Sequence, residues 1–93
     1  MLPIIEAEQV ASAIYRVEGS DKTKHPYGIM THYVHTTPRQ ACINTIQHVA
    51  RDYRVSHIDR HFIYVLADVY CPLSDDPIGN KNWKHNMVAI LHL

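Results

Sequence analysis

The chain predicts a mostly α-helical fold of about four helices, with a short β-hairpin or irregular segment after the first. Three observations predict it. Apolar residues recur at helical spacing in four separate stretches. Recognisable start and stop residues bracket those stretches. A chain of 93 residues with 46% apolar and 19% charged content also suits one packed core rather than a disordered polymer. The expected organisation is a single domain over residues 1–93.

The first helix is expected from about Ile4 to Glu18, where Ala7, Val10, Ala11, Ile14 and Val17 share a face. Pro3 suits a helix start and Gly19 suits the stop. Ser20 to Pro26 is polar and reads as a loop. Tyr27 to Val34, with Tyr27, Ile29, Met30, Tyr33 and Val34, fits one or two short strands or an ordered turn around Gly28. The second helix opens at Thr37-Pro38-Arg39-Gln40: Thr37 caps, Pro38 presets the first turn and Gln40 reaches back. Its inner face should carry Cys42, Ile46, Val49, Ala50 and Tyr53. Ser56-His57-Ile58-Asp59 forms a second capping box, opening a helix with Ile58, Phe62, Val65, Leu66 and Val69 inward, and Cys71-Pro72 ends it. Leu73 to Gly79 reads as a loop, and Trp83, Met87, Ile90 and Leu91 mark the last helix.

Lys plus Arg equals Asp plus Glu, nine against nine. A neutral chain lacks the long-range attraction to phosphate on which nucleic-acid binders rely, so no nucleic-acid partner is expected. No stretch approaches the roughly 20 apolar residues of a membrane span, so no membrane insertion is expected. Met1 to Val10 carries Glu6 and Glu8 where a secretory signal would be basic and then apolar. The chain is therefore expected to be made in the cytoplasm, with other machinery delivering it to any target outside. Cys42 and Cys71 match no zinc or CxxC spacing and fit either two thiols or one disulfide; their apolar neighbours favour buried thiols.

Glu18 is the position with the clearest chemical potential. It lies one turn beyond Ile14 and Tyr15, at the end of an apolar face, which turns it toward the core side. A carboxyl group withdrawn from water holds its proton more firmly, and the partial negative charge of a helix C-terminus acts in the same direction. A protonated carboxylic acid can donate to a leaving oxygen. Spacing alone also accommodates a solvated Glu18 paired with Lys22 at i+4.

The segment Ala13-Ile14-Tyr15-Arg16-Val17-Glu18-Gly19, followed by Tyr27-Gly28-Ile29-Met30, resembles the catalytic segment of soluble lytic transglycosylases and goose-type lysozymes. Leu66 to Pro72, with Asp76-Pro77 and Asn80 to Asn86, is similar to the C-terminal part of small phage-type lytic proteins of that lysozyme-like superfamily. The resemblance implies a small lysozyme-like helical domain that cleaves the MurNAc–GlcNAc bond of peptidoglycan glycan strands. It implies Glu18 as the acid/base and Tyr27, Gly28, Ile29 and Met30 as the groove. Asn44 is a loose counterpart of the family's Ala-Tyr-Asn-x-Gly asparagine, and Thr31 stands where the family has Gln. The implied setting is the periplasm, a phage particle or a lysis system.

A hydrolase of this bond uses a second carboxylate as nucleophile or to activate water. No clear partner for Glu18 is visible, Asp21 being the nearest carboxylate in sequence. A transglycosylase can use one Glu twice, which favours that route over lysozyme-type hydrolysis. A non-catalytic helical virion or wall-binding module is a further alternative. Tyr27, Tyr64 and Tyr70 can support the site or serve as core tyrosines with one wet end. Trp83 is read as core. His57 and His61 at i, i+4, and the pair His32 and His35, lack an HExxH context or an obvious third ligand, so no metal and no cofactor is expected. No Gly-x-Ser-x-Gly elbow or phosphate-cradling glycine loop is present.

Overall fold

In the computed structural model, residues 1–19, 27 and 35–93 are described. Every regular element among them is a helix: α1 (Ile4–Val17), α2 (Pro38–Asp52), α3 (Arg60–Tyr70) and α4 (Pro77–Leu91). Each helix packs on two others, closing a ring in the order α1–α2–α3–α4 and back to α1. No helix among the described residues is long and apolar enough to cross a membrane. The expected hairpin over Tyr27 to Val34 lies outside the described residues apart from Tyr27.

The core follows from the helical spacing. Ala7, Val10, Ala11 and Ile14 from α1 meet Cys42, Ile46 and Ala50 from α2, Phe62, Ile63 and Leu66 from α3, and Met87 from α4, all fully buried. Residues three and four apart supply one apolar stripe per helix, and helices this short hold their shape only through such packing. The small α1 residues Ala7 and Ala11 let neighbouring helices approach closely.

The caps correct several expected boundaries. Thr37 caps α2 as expected, its hydroxyl accepting from Gln40 N at 3.0 Å. Gln40 does not reach back; its amide donates forward to Asn44 Oδ1 at 2.9 Å. The third helix starts one turn later than the capping-box reading, because Asp59 is itself the cap and accepts from Phe62 N at 2.7 Å. The buried stripe of α3 runs through Phe62, Ile63, Leu66 and Ala67, spaced i, i+1, i+4 and i+5, and Val69 falls outside it, half exposed. Pro77 and Gly79 belong to the first turn of α4 rather than to a loop, with Asp76 capping Gly79 N at 2.9 Å. A Cβ at Gly79 would overlap the Asp76 carboxylate and crowd Cys71 Sγ, so a larger residue there would displace the capping side chain. Tyr53 is exposed, because it caps the end of α2 instead of continuing its buried stripe.

The chain ahead of α1 is anchored by a feature with no periodic signal. The buried Gln47 amide accepts from Leu2 N at 2.7 Å and donates to Leu2 O at 2.9 Å. Both polar groups of the Leu2 backbone are thereby satisfied inside the core.

Candidate functional site

α1 ends as the sequence predicts. Glu18 takes the C-cap position, and Gly19 follows with φ 62°, in the left-handed region where glycine carries no Cβ penalty. This places the Glu18 carboxyl beyond the last turn, partly buried. Its Oε1 accepts a hydrogen bond from Trp83 Nε1 at 3.1 Å, across 65 residues of sequence.

Trp83 is held in turn. It is only 5% exposed, and its ring stacks on Tyr70 with centroids 5.7 Å apart and planes 10° from parallel. The Tyr70 hydroxyl lies 3.3 Å from Cys42 Sγ on α2. Four helices therefore contribute to the orientation of one carboxyl group: α1 presents it, α4 bonds it, α3 backs the indole, and α2 contacts the backing ring. Asn80 fastens α4 to the end of α3, its amide donating to Cys71 O at 2.7 Å and to Asp68 Oδ1 at 3.2 Å.

Around Glu18 is a shallow depression of about 220 Å³, lined by Val17, Glu18, Tyr70, Cys71, Gly79, Asn82, Trp83 and Asn86. Glu18 is the sole carboxylate among these lining residues. The depression does not end there. A second of about 260 Å³ shares Val17 and Asn86 with it, and a third of about 450 Å³ shares Arg16 and Ile90 with the second. Together they form a furrow along the seam of α1 and α4. The two helices run antiparallel, since Glu18 faces Asn82 and Trp83 at one end while Ile5 and Glu8 face Leu91 and His92 at the other. From Ile5 to Glu18 the seam is about 20 Å long at 1.5 Å per residue.

The structure brings together only part of the expected constellation. Glu18 and Tyr70 share the depression. Tyr27 is not at its wall: it is buried, edge-on to Tyr15 at 5.2 Å, with its hydroxyl accepting from Arg39 Nη1 at 3.1 Å. Its φ of 60° is unusual for a bulky residue, and these contacts hold it there. Asn44 lies exposed on α2 with its amide oxygen engaged by Gln40, away from Glu18. Tyr64 belongs to another surface, where Lys84 Nζ lies 5.1 Å from its ring centroid. Gly28, Ile29, Met30, Thr31, Asp21 and Lys22 lie outside the described residues. Asn82 and Asn86 were not foreseen as site residues; their i, i+4 spacing beside Trp83 is the signal that could have found them. Trp83 itself is both core and site.

Both cysteines are free thiols, Cys42 buried and Cys71 half-buried in the depression wall. Desolvation pushes the Cys42 thiol up, against the lowering effect of its Tyr70 contact. Desolvation also raises Cys71, with Asp76, Glu18 and Asp75 adding negative charge nearby. Neither is therefore set up as a thiolate nucleophile. Among the described residues, no group of three His, Cys, Asp or Glu side chains is placed to hold a metal ion. His57 instead meets Glu6 at 3.3 Å on the surface.

No protein-family model, curated protein or solved structure matches this chain.

Proposed function

We propose that this chain cleaves the glycan strands of peptidoglycan at the MurNAc–GlcNAc bond, by the lytic-transglycosylase route, with Glu18 as its single acid/base. The observation that carries the reading is the Glu18 carboxyl, fixed by the Trp83 indole at the end of a furrow, with no second carboxylate lining its depression among the described residues. Two further features support it. Of the segments that resemble lytic enzymes, 13–19 contributes Val17 and Glu18 to this depression, 66–72 contributes Tyr70 and Cys71, and 80–86 contributes Asn82, Trp83 and Asn86, whereas Tyr27 lies away from it. The furrow continues along α1 and α4, as an extended polymer requires.

The Trp83 bond engages Oε1, so proton transfer is assigned to Oε2. Oε2–H protonates the glycosidic oxygen as the C1–O bond breaks, and positive charge develops on the sugar ring. The carboxylate so formed then takes the proton of the same sugar's 6-hydroxyl while O6 bonds to C1. An anhydro ring closes, the leaving strand departs with its new hydroxyl, and Glu18 is again protonated. No water is consumed, so the reaction needs no second carboxylate. Asn82 and Asn86 offer amide donors and acceptors beside the reacting bond, suited to hydroxyl and acetamido groups.

The test is mass spectrometry of purified peptidoglycan digested by the wild-type chain and by Glu18→Gln. Wild type releases products one water lighter than reducing-ended fragments. The variant keeps its circular dichroism spectrum and loses about 1,000-fold or more of the activity, the scale of a lost general acid. Reducing-ended products would assign a hydrolase instead. Full activity in the variant, or saccharide binding with no product from wild type, would end the catalytic reading.

A further inference from the structure

We propose that a second groove, between α3 and α4 and separate from the Glu18 furrow, binds a phosphate ester. It encloses about 450 Å³ and is lined by Arg60, Tyr64, Lys81, Lys84, His85 and Val88. That volume falls within the range of small-molecule sites.

Among the described residues the lining holds one arginine, two lysines and an imidazole, and no carboxylate. In a chain of nine basic and nine acidic residues, this is a local excess of positive charge. The helical register creates it: Lys81, Lys84, His85 and Val88 fall at i, i+3, i+4 and i+7 on one side of α4, opposite Arg60 and Tyr64 at i, i+4 on α3. Among the described residues, neither lysine has a carboxylate within 4.0 Å; the ion pairs there are Arg51–Asp52 and His57–Glu6. Two of the cations are steadied by contacts within the fold. Lys84 rests over the Tyr64 ring at 5.1 Å, and Arg60 Nη2 donates to Leu93 O at 2.8 Å.

The chemistry selects the ligand. A single carboxylate is matched by one cation. Two lysine charges with an imidazole beside them around one concavity match a group with two or more negative charges and several acceptor oxygens, as in a phosphomonoester or diphosphate. Lysine is a suitable point-charge partner for such oxygens. Tyr64 and Val88 give the organic part of the ester an apolar wall. The inference does not depend on cleavage at Glu18.

The experiment is an amide NMR titration of the whole chain with sodium pyrophosphate at low salt, repeated with glycerol 1-phosphate and with phosphatidylglycerol vesicles. The expected result is saturable one-to-one binding of both soluble probes, with shifts confined to residues 60–64 and 81–88. Lys81→Gln/Lys84→Gln weakens it at least about tenfold, equivalent to about 1.4 kcal/mol. Lys81→Gln alone, at an exposed position, gives a smaller loss and guards against a folding effect in the double variant. Unsaturable shifts spread equally over Arg39, Arg51 and Arg54 would overturn the proposal. So would unchanged affinity in both variants, or binding to vesicles without binding to either soluble probe.

Discussion

Helix α4 carries two surfaces of opposite character, and their difference is instructive. On one side Asn82, Trp83 and Asn86 border a depression in which Glu18 supplies the one carboxyl group among the described lining residues. On the other, Lys81, Lys84 and His85 border a groove with no lining carboxylate among the described residues. The first surface is built from the interior outward: its key side chain is bonded by a buried indole that stacks on a second ring. The second is built from exposed side chains whose charge, rather than rigidity, defines it. Fixed geometry suits proton transfer at one atom, whereas clustered charge suits the capture of an anion.

The comparison is sharpened by variants that act on one surface only. The largest effect is expected from Glu18→Gln, which removes cell-wall turnover without unfolding the chain. Trp83→Ala comes next and acts on both counts: removing a large buried aromatic costs about 3–5 kcal/mol. That lowers Tm by about 20 °C, measured by thermal denaturation, since 1 kcal/mol moves a domain of this size by about 4–8 °C. Trp83→Phe separates the two roles. It keeps an aromatic ring against Tyr70 but loses the N–H, so kcat on soluble glycan falls about tenfold while KM holds, the pattern of a lost positioning bond. Lys81→Gln/Lys84→Gln should leave that turnover unchanged; a tenfold fall would merge the two surfaces into one site.

The smallest effect concerns pH. The folded state raises the Cys42 thiol above its ordinary value of 9.0, chiefly by desolvation. The unfolded chain therefore loses this proton first as pH rises. The associated stability is fully present below 9.0 and is lost as pH climbs toward the higher folded value. Urea denaturation at about pH 8 and about pH 10 should show a steeper loss in wild type than in Cys42→Ala. Equal losses would place the alkaline sensitivity elsewhere.

Much of the fold was legible because periodicity reports burial. Val10, Ile14, Ile46, Phe62, Leu66 and Met87 all stand on the faces that their spacing assigns, and Gly19 ends α1 where a left-handed residue was needed. Boundaries were less legible. Either Ser56 or Asp59 can cap a helix, and the bond from Phe62 N decides for Asp59. The site was half legible. Glu18 sits at the end of an apolar stripe, which local spacing detects. Its partner Trp83 lies 65 residues away, and an apolar stripe carries no mark of which member turns a polar edge outward. Asn82 and Asn86 escaped for a similar reason, since uncharged polar residues flanking a stripe look like solvated surface. Tyr27, Tyr64 and Tyr70 are chemically alike, and only the helix packing sends them to three different places.

The bond between Trp83 and Glu18 also makes the molecule self-reporting. The chain contains one tryptophan, so its entire indole emission originates beside the carboxyl group. Changes in the charge or occupancy of that corner alter the emission directly, while events in the lysine-lined groove reach it only through α4. A single unlabelled fluorescence trace can thus distinguish ligands by where they land.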